Sequence, residues 1–146
     1  MTEKHSLRVK TDIYELTIIQ KWFQEFFGHP EIKVPERTLQ QMNLLLAEGF
    51  ANVIYHAHEH LSPEVPVDIE VIFYASAIEI RVWDFGKPFD LLKKLDEIQD
   101  QEIDLTDIDN LPTGGRGLMI TQAISDRFSY ERFNNRNCLV IYKSFN

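Results

Sequence analysis

The 146-residue sequence predicts an α+β two-layer sandwich, in which helices cover one face of a mainly antiparallel sheet. Over residues 67–74 and 78–82, apolar and polar residues alternate, which is the period of half-buried strands. Over residues 13–26 and 39–57, apolar residues recur every three or four positions, which is the period of amphipathic helices. The predicted order of elements is β-α-α-β-β-loop-α-β-β.

In the first half of the chain, a short strand at 6–10 precedes two helices. Thr11 or Asp12 can cap the first helix, because a side-chain oxygen accepts a hydrogen bond from a free N–H of the first turn. Gly28 is typical of a helix end. Pro35 opens the second helix, where the first turn tolerates proline.

In the second half, residues 75–77 form the turn between two antiparallel strands that leave one side partly in solvent. A further helix begins within 114–117. Two more strands, 128–133 and 137–143, end the chain. Residues 134–136 between them fit a hairpin turn.

Composition limits the classes of function. The 15 basic and 23 acidic residues give a net charge of −8, which is unfavourable for binding a nucleic-acid backbone. The single Cys138 cannot form an internal disulfide. Neither a secretory signal nor an apolar run of membrane-spanning length is evident. We therefore expect a cytoplasmic protein with no nucleic-acid and no membrane partner.

The negative charge is concentrated in residues 90–109, which carry eight acidic and two basic residues. Residues 100–113 also lack the period of a helix or a strand. We expect a mobile, solvated loop within the domain, with part of 88–99 forming a short helix. The acidic residues are Asp90, Asp96, Glu97, Asp100, Glu102, Asp104, Asp107 and Asp109.

Glu48, Asn52 and His56 recur every four residues on the second helix, so they lie nearly in line. The polar flank of an ordinary helix gives the same pattern. The functional alternative is a carboxylate and an amide oxygen directed at one ligand. Such hard oxygen groups suit Mg²⁺ or a polarised hydroxyl.

Asp84 follows directly after a hydrophobic strand, where we expect it to be partly buried. The segment 84–90 is also compatible with a simple turn, since Asp, Gly and Pro all favour turns. A buried carboxylate needs hydrogen-bond donors, and the exocyclic amino group of a purine would supply one. Gly86 would let a flat ring approach the backbone, because it has no Cβ.

Residues 113–117, Thr-Gly-Gly-Arg-Gly, stand at the start of a helix. They fit either a flexible hinge or a phosphate cradle, since free N–H groups and the positive helix end favour anions. The pattern matches neither a Walker loop nor a dinucleotide fingerprint.

Together, these motifs resemble those of the bacterial anti-sigma factor serine/threonine kinases, a family of the GHKL superfamily with a histidine-kinase-like ATPase domain. Residues 48–52 with His56 are similar to its N box, and residues 84–90 to its G1 box. Residues 114–118 are similar to its G2 box. The resemblance covers about residues 8–145, implies a GHKL or Bergerat-type fold, and makes 1–146 a single ATP-binding domain.

The resemblance also implies a role for each matching residue. Asn52 would ligate the Mg²⁺ that bridges the ATP phosphates, and Glu48 would be the catalytic group that polarises the attacking hydroxyl. Asp84 would accept from the adenine amino group, and Gly86 would lie under the base. Residues 90–113 would be the ATP lid, ordered only when ATP binds. The glycines that would face the phosphates are Gly115 and Gly117.

The cations that could add charge at the phosphates are Lys87 and Arg116, and the sequence does not choose between them. His56, His58 and His60 could suggest a metal site, but without a His-Glu-x-x-His pattern we interpret them as a polar helix end.

The implied partners are a sigma factor, which such proteins hold away from RNA polymerase, and a STAS-domain anti-anti-sigma protein that accepts the phosphoryl group on serine. Family members usually form homodimers. Histidine kinases carry a separate helical domain and gyrase-type ATPases a transducer domain, for which 146 residues leave no room. The alternative is a non-catalytic, ATP-binding switch of the same fold.

Overall fold

Five strands form one sheet in the order β1-β2-β3-β5-β4, and every neighbouring pair is antiparallel. The structure is a computed structural model that describes residues 2–99 and 116–145, with only the backbone described for 98, 99 and 116. The strands are β1 (Glu3–Lys10), β2 (Pro66–Phe73), β3 (Ala77–Asp84), β4 (Arg127–Phe133) and β5 (Arg136–Ser144). The predicted sheet is therefore confirmed.

Four α-helices are described. They are α1 (Leu16–Gln24), α2 (Glu36–Asn52), α3 (Leu91–Gln99) and α4 (Arg116–Ile124). A 3₁₀ turn (Ile13–Glu15) precedes α1, and a π-helical turn (Val53–Ala57) continues α2. The helix expected within 88–99 is confirmed as α3. Of the expected lid, residues 100–113 lie outside the described residues. None of the described helices is long and apolar enough to cross a lipid bilayer.

The main core lies between α1, α2, α4 and one face of the sheet, so the predicted two-layer arrangement is confirmed. Phe23 of α1, Phe50 of α2 and Ile80 of β3 are each fully buried there. Burial of such a side chain contributes roughly 1.5–3 kcal/mol to folding. A Cβ at Gly49 would lie only 3.3 Å from Leu139 Cδ2, so α2 lies close on the sheet.

The opposite face of the sheet carries charged and aromatic side chains. Asp68 accepts two hydrogen bonds from Arg8, at 2.7 and 3.0 Å, and lies 3.3 Å from Arg136 Nη1. The Arg136 guanidinium also stacks on the Trp83 ring, 4.3 Å from its centroid. The prediction of one partly solvated side is therefore confirmed.

Local signals set the helix ends. Asp12 is the N-terminal cap, since its Oδ1 accepts from Tyr14 N at 3.0 Å. The first α-helix ends at Gln24, before Gly28, whose φ of +70° only glycine adopts without strain. Pro35 precedes the first residue of α2. The spacing of apolar residues in the sequence did not predict the π-helical turn.

Candidate functional site

A cavity of about 440 Å³ opens between the C-terminal end of α2, the loop after β3, and residues of α3 and α4. Its volume falls within the roughly 300–1,000 Å³ that is typical of small-molecule sites. Asn52, the last residue of α2, and Gly86, in the loop after β3, both line it. The structure therefore brings two of the predicted site residues to one cavity.

Asp84 is the last residue of β3 and is only 1% exposed, so the expected burial is confirmed. Gly86 N and Asn137 Nδ2 donate to its Oδ1 at 2.8 and 2.9 Å. The Tyr130 hydroxyl donates to its Oδ2. These bonds compensate the carboxylate for its lost hydration. The sequence indicated a purine amino group as a donor, whereas the protein supplies these donors itself.

The loop after Asp84 is held by the last hairpin. Asn137 Nδ2 lies 3.1 Å from the carbonyl oxygens of both Gly86 and Lys87. Arg132 Nη1 donates to Gly86 O at 2.9 Å and to Asn137 Oδ1 at 3.1 Å. The two side chains thus orient each other while they fix the loop backbone.

His58 links three segments of the chain. Its Nε2 accepts from Phe85 N at 2.8 Å, and its Nδ1 lies 2.9 Å from the Thr11 hydroxyl. Thr11 donates its own proton to Val65 O, so Nδ1 must be the donor and the ring is the neutral Nδ1–H tautomer. Burial lowers the pKa of His58, although the charge of Asp84 acts in the opposite direction.

The interpretation of the three histidines as a polar helix end is wrong for His58, which is only 2% exposed. Both of its ring nitrogens are engaged with protein groups. His56 and His60 are exposed and line the cavity. Within residues 2–99 and 116–145, no three His, Cys, Asp or Glu side chains converge to hold a metal ion.

Gly86 is required by a close approach of two backbones. A Cβ at this position would lie 2.7 Å from the carbonyl oxygen of Ala57 and 3.0 Å from Ala57 Cβ. A backbone oxygen cannot rotate away as the end of a flexible side chain can. The contact with Ala57 therefore gives this glycine a structural reason in addition to the proposed approach of a flat ring.

Glu48 lies against the first turn of α4. A Cβ at Gly117 would lie 3.3 Å from Glu48 Cδ and closer still to its Oε2. The N-terminal end of a helix attracts anions because its N–H groups are unpaired and its dipole is positive there. The structure thus brings Glu48 to the glycine-rich helix start that was predicted to hold phosphates.

Gly115 lies outside the described residues, and for Arg116 only the backbone is described, as the first residue of α4. Lys87 lines the cavity, and so does Lys94 of α3. Lys94 is a cation that the sequence analysis did not consider.

Sequence reasoning also missed Tyr130, Asn137 and Arg132, which hold Asp84 and its loop. Asn137 gave a usable signal, because a polar residue opens the otherwise apolar strand 138–141. Tyr130 gave none, since tyrosine is common in strands for its packing alone.

The family model of the histidine kinase-like ATPase domain matches residues 10–143. The match covers nearly the whole chain, so the chain belongs to this family, and the predicted resemblance is confirmed. Curated relatives from Listeria monocytogenes serotypes 4a and 4b are each named serine-protein kinase RsbW. Each is 26% identical over 89 residues, which is 61% of this chain and 55% of the relative. The aligned part thus spans about half the length of these relatives.

Proposed function

We propose that this chain binds ATP with Mg²⁺ and transfers the γ-phosphoryl group to a serine of a STAS-domain antagonist, with a sigma factor as its other partner. The observation that carries the proposal is the contact of Glu48 with Gly117, beside a cavity lined by Asn52 and Gly86. Membership of an ATPase domain family supports the nucleotide. The name of the relatives supports a serine acceptor.

In this proposal the base lies at the Asp84 end of the cavity and the phosphates lie towards α4. The apolar walls of the cavity include Phe85 and Phe89, which suit a flat purine. Gly117 supplies a backbone N–H group in the first turn of α4, and the contribution of Gly115 stays a prediction. The lid over residues 90–113 stays a prediction.

Asn52 fits a role as ligand of Mg²⁺. Its amide oxygen is a hard donor at the cavity wall, and Mg²⁺ takes few protein ligands when substrate phosphates and water supply the others. When bound, Mg²⁺ supplies positive charge that neutralises the phosphate oxygens. Lys87 and Lys94 add positive charge along the same cavity.

Glu48 is the proposed general base. As the serine oxygen forms its bond to the γ-phosphorus, the bond to the bridging β–γ oxygen breaks and ADP leaves. The proton of the serine hydroxyl passes to the Glu48 carboxylate. The transition state is loose, so the protein contributes mainly by positioning and by stabilising charge. A general base contributes roughly 10²–10⁴-fold to the rate.

The test is phosphotransfer to purified STAS-domain antagonists, read by phosphoserine mass spectrometry, with ATP affinity measured in parallel. Glu48→Gln should keep ATP affinity near the wild-type value and lower the transfer rate by roughly 10²-fold or more. Asn52→Ala should lose both. Glu36→Gln, exposed at the other end of α2, is the matched control and should change neither.

A wild-type protein that binds ATP and an antagonist tightly but forms no phosphoserine would refute the kinase. The non-catalytic ATP-binding switch would then replace it. A homodimer in the cytoplasm belongs to the same proposal, and light scattering of the purified protein measures the oligomeric state.

A further inference from the structure

The sheet has two edge strands, β1 and β4, and each pairs with one neighbour only. The free side of an edge strand can pair with a strand of another chain unless charge, proline or a bulge prevents it. In β4 the register with β5 runs from Arg127 to Phe133 without a bulge, and the strand contains neither proline nor lysine. In the part of the chain that the structure describes, no backbone hydrogen bond joins β4 to an element other than β5. This edge is therefore open.

The other edge strand, β1, is protected by its charges. Lys4, Arg8 and Lys10 lie on one face of this strand, with no acidic residue among them. An antiparallel pair of two β1 strands centred on Ser6 would place Lys4 opposite Arg8, and a pair centred on Leu7 would place Lys4 opposite Lys10. Like charges directly opposite each other destabilise a strand pair. A second copy of the chain is therefore disfavoured along β1.

The sequence of β4, Arg-Phe-Ser-Tyr-Glu-Arg-Phe, is complementary to itself in the antiparallel direction. With a twofold axis at Tyr130, Ser129 lies opposite Glu131 of the second copy. Arg127 lies opposite Phe133 of the second copy on the same face, and symmetry makes each pair occur twice. A hydroxyl donates to a carboxylate, and a cation is attracted to the face of an aromatic ring. In this register no like charges lie opposite each other.

An apolar groove of about 580 Å³ lies beside the open edge, between β4 and the start of α3. Leu92 and Phe89 line it and are 73% and 41% exposed, although both are large apolar side chains. Exposed apolar side chains that lie together are typical of a surface that contacts another protein. A second copy paired along β4 would cover this groove, which pairing along β1 would leave in solvent.

We propose that a second copy of this chain pairs antiparallel along β4, with the twofold axis at Tyr130, so that the two five-stranded sheets become one continuous sheet. The inference rests on the homodimer in the proposed function and names its interface. Backbone hydrogen bonds supply affinity, and the side chains of β4 set the register. On the helix side, Phe128 meets the aliphatic part of Arg132 of the second copy, while the guanidinium of Arg132 keeps its bond to Gly86 O.

The test measures the dissociation constant of the dimer by sedimentation equilibrium, for the wild type and for Ser129→Glu. The substitution places a glutamate opposite Glu131 of the second copy at two symmetric positions. The dissociation constant should therefore rise roughly tenfold or more. Ser6→Glu is the matched control, because it makes the same change at an exposed serine of the other edge strand, and it should leave the dissociation constant unchanged.

A second variant shows that a loss of the dimer is not a loss of the fold. Ser129→Glu combined with Glu131→Lys places opposite charges across the twofold axis again. The dissociation constant should return close to the wild-type value, and circular dichroism should be the same for all the variants. If the double variant dissociates as readily as Ser129→Glu, the proposed register is wrong and the inference is overturned.

The remaining outcomes separate the inference from the proposed function. A wild type that stays monomeric at every concentration refutes the homodimer and this interface together, whereas the phosphotransfer assay tests the kinase independently. A wild-type dimer that is weakened by Ser6→Glu, or is unaffected by Ser129→Glu, has its interface elsewhere. Either result overturns the inference and leaves the homodimer standing.

Discussion

The two ends of the cavity are built in different ways. At the Asp84 end, Arg132 and Asn137 donate hydrogen bonds to the loop backbone, and His58 accepts one from it, so the loop is tied to the sheet and to the turn after α2. At the Glu48 end, the first turn of α4 meets α2 at Gly117. A small apolar cluster joins α3 to α4, is separate from the main core and lies against Tyr130. The loop after β3 is therefore fixed by polar bonds, whereas α3 is held on α4 by a few apolar contacts.

This difference indicates where the free energy of ligand binding is used. The hydrogen bonds at the Asp84 end form when the sheet folds, so the binding of a base there orders few additional residues. The buried residues described for α3 belong to the small cluster and not to the main core, which is typical of regions that open locally. We therefore expect phosphate contacts, more than base contacts, to stabilise α3.

The largest expected contrast is between core leucines of the two regions. Leu46 of α2 is fully buried in the main core, whereas Leu95 of α3 belongs to the small cluster. Leu46→Ala should lower the free energy of unfolding by about 2–5 kcal/mol. Leu95→Ala should cost clearly less. Urea denaturation measures both, and equal losses would remove the distinction between the two regions.

Asp84→Asn tests the hydrogen-bonded Asp84 end of the cavity. The amide turns an acceptor into a donor in a site already filled with donors, so unfolding should become easier by roughly 1.5–3 kcal/mol and ATP affinity should fall sharply. Asp68→Asn on the solvated face is the control, since exposed ion pairs contribute at most about 1 kcal/mol. Calorimetry reads the affinity and urea denaturation the stability. Normal ATP binding by Asp84→Asn would contradict the assignment of the base to this end.

Two glycine substitutions form a matched pair. Gly86→Ala forces a Cβ onto the Ala57 carbonyl and should cost about 1–3 kcal/mol. Gly117→Ala meets only the movable end of Glu48 and gains helix propensity, so stability should change by less than about 1 kcal/mol. Phosphotransfer should nevertheless fall, because Glu48 is displaced. Thermal melts with parallel transfer assays check the pair, and a reversed order of stabilities would show that the rigid end is misidentified.

The smallest expected effect is a pH dependence carried by His58. Its pKa is lowered in the folded chain, so the unfolded chain binds the proton more readily. The contribution of neutral His58 is complete above the unfolded pKa of about 6.5 and is lost as the pH falls from there through the folded pKa. His58→Gln, which keeps an acceptor for Phe85, should flatten the stability profile between pH 7 and 5. His60→Gln, at an exposed position, should not.

The two layers of the fold could be predicted from the sequence, because the spacing of apolar residues that marks a strand or a helix is visible within a short segment. Alternation at 67–73 and 78–82 fixes which side chains face the core, and the strand pairing agrees with it. The hydrogen bonds that Tyr130 and Asn137 donate to Asp84 could not be predicted, because these residues lie 46 and 53 positions away along the chain. No local pattern marks Tyr130, and the polar residue before the apolar strand 138–141 marks Asn137 as unusual without indicating which group it contacts. His58 was misinterpreted because it was grouped with the exposed His56 and His60, although it alone faces inward.

The π-helical turn at the end of α2 has a consequence for comparing relatives. His58 N bonds to Val53 O, five residues back, so this turn holds one residue more than an α-helical turn would. Because the wide turn absorbs the extra residue, a chain that is one residue shorter between 53 and 57 closes an ordinary α-helical turn and keeps position 58 at nearly the same angle around the axis. The acceptor for Phe85 is then retained. A one-residue gap here in a homologous chain therefore marks the loss of the π-helical turn, and not the loss of the anchor that holds the loop after β3.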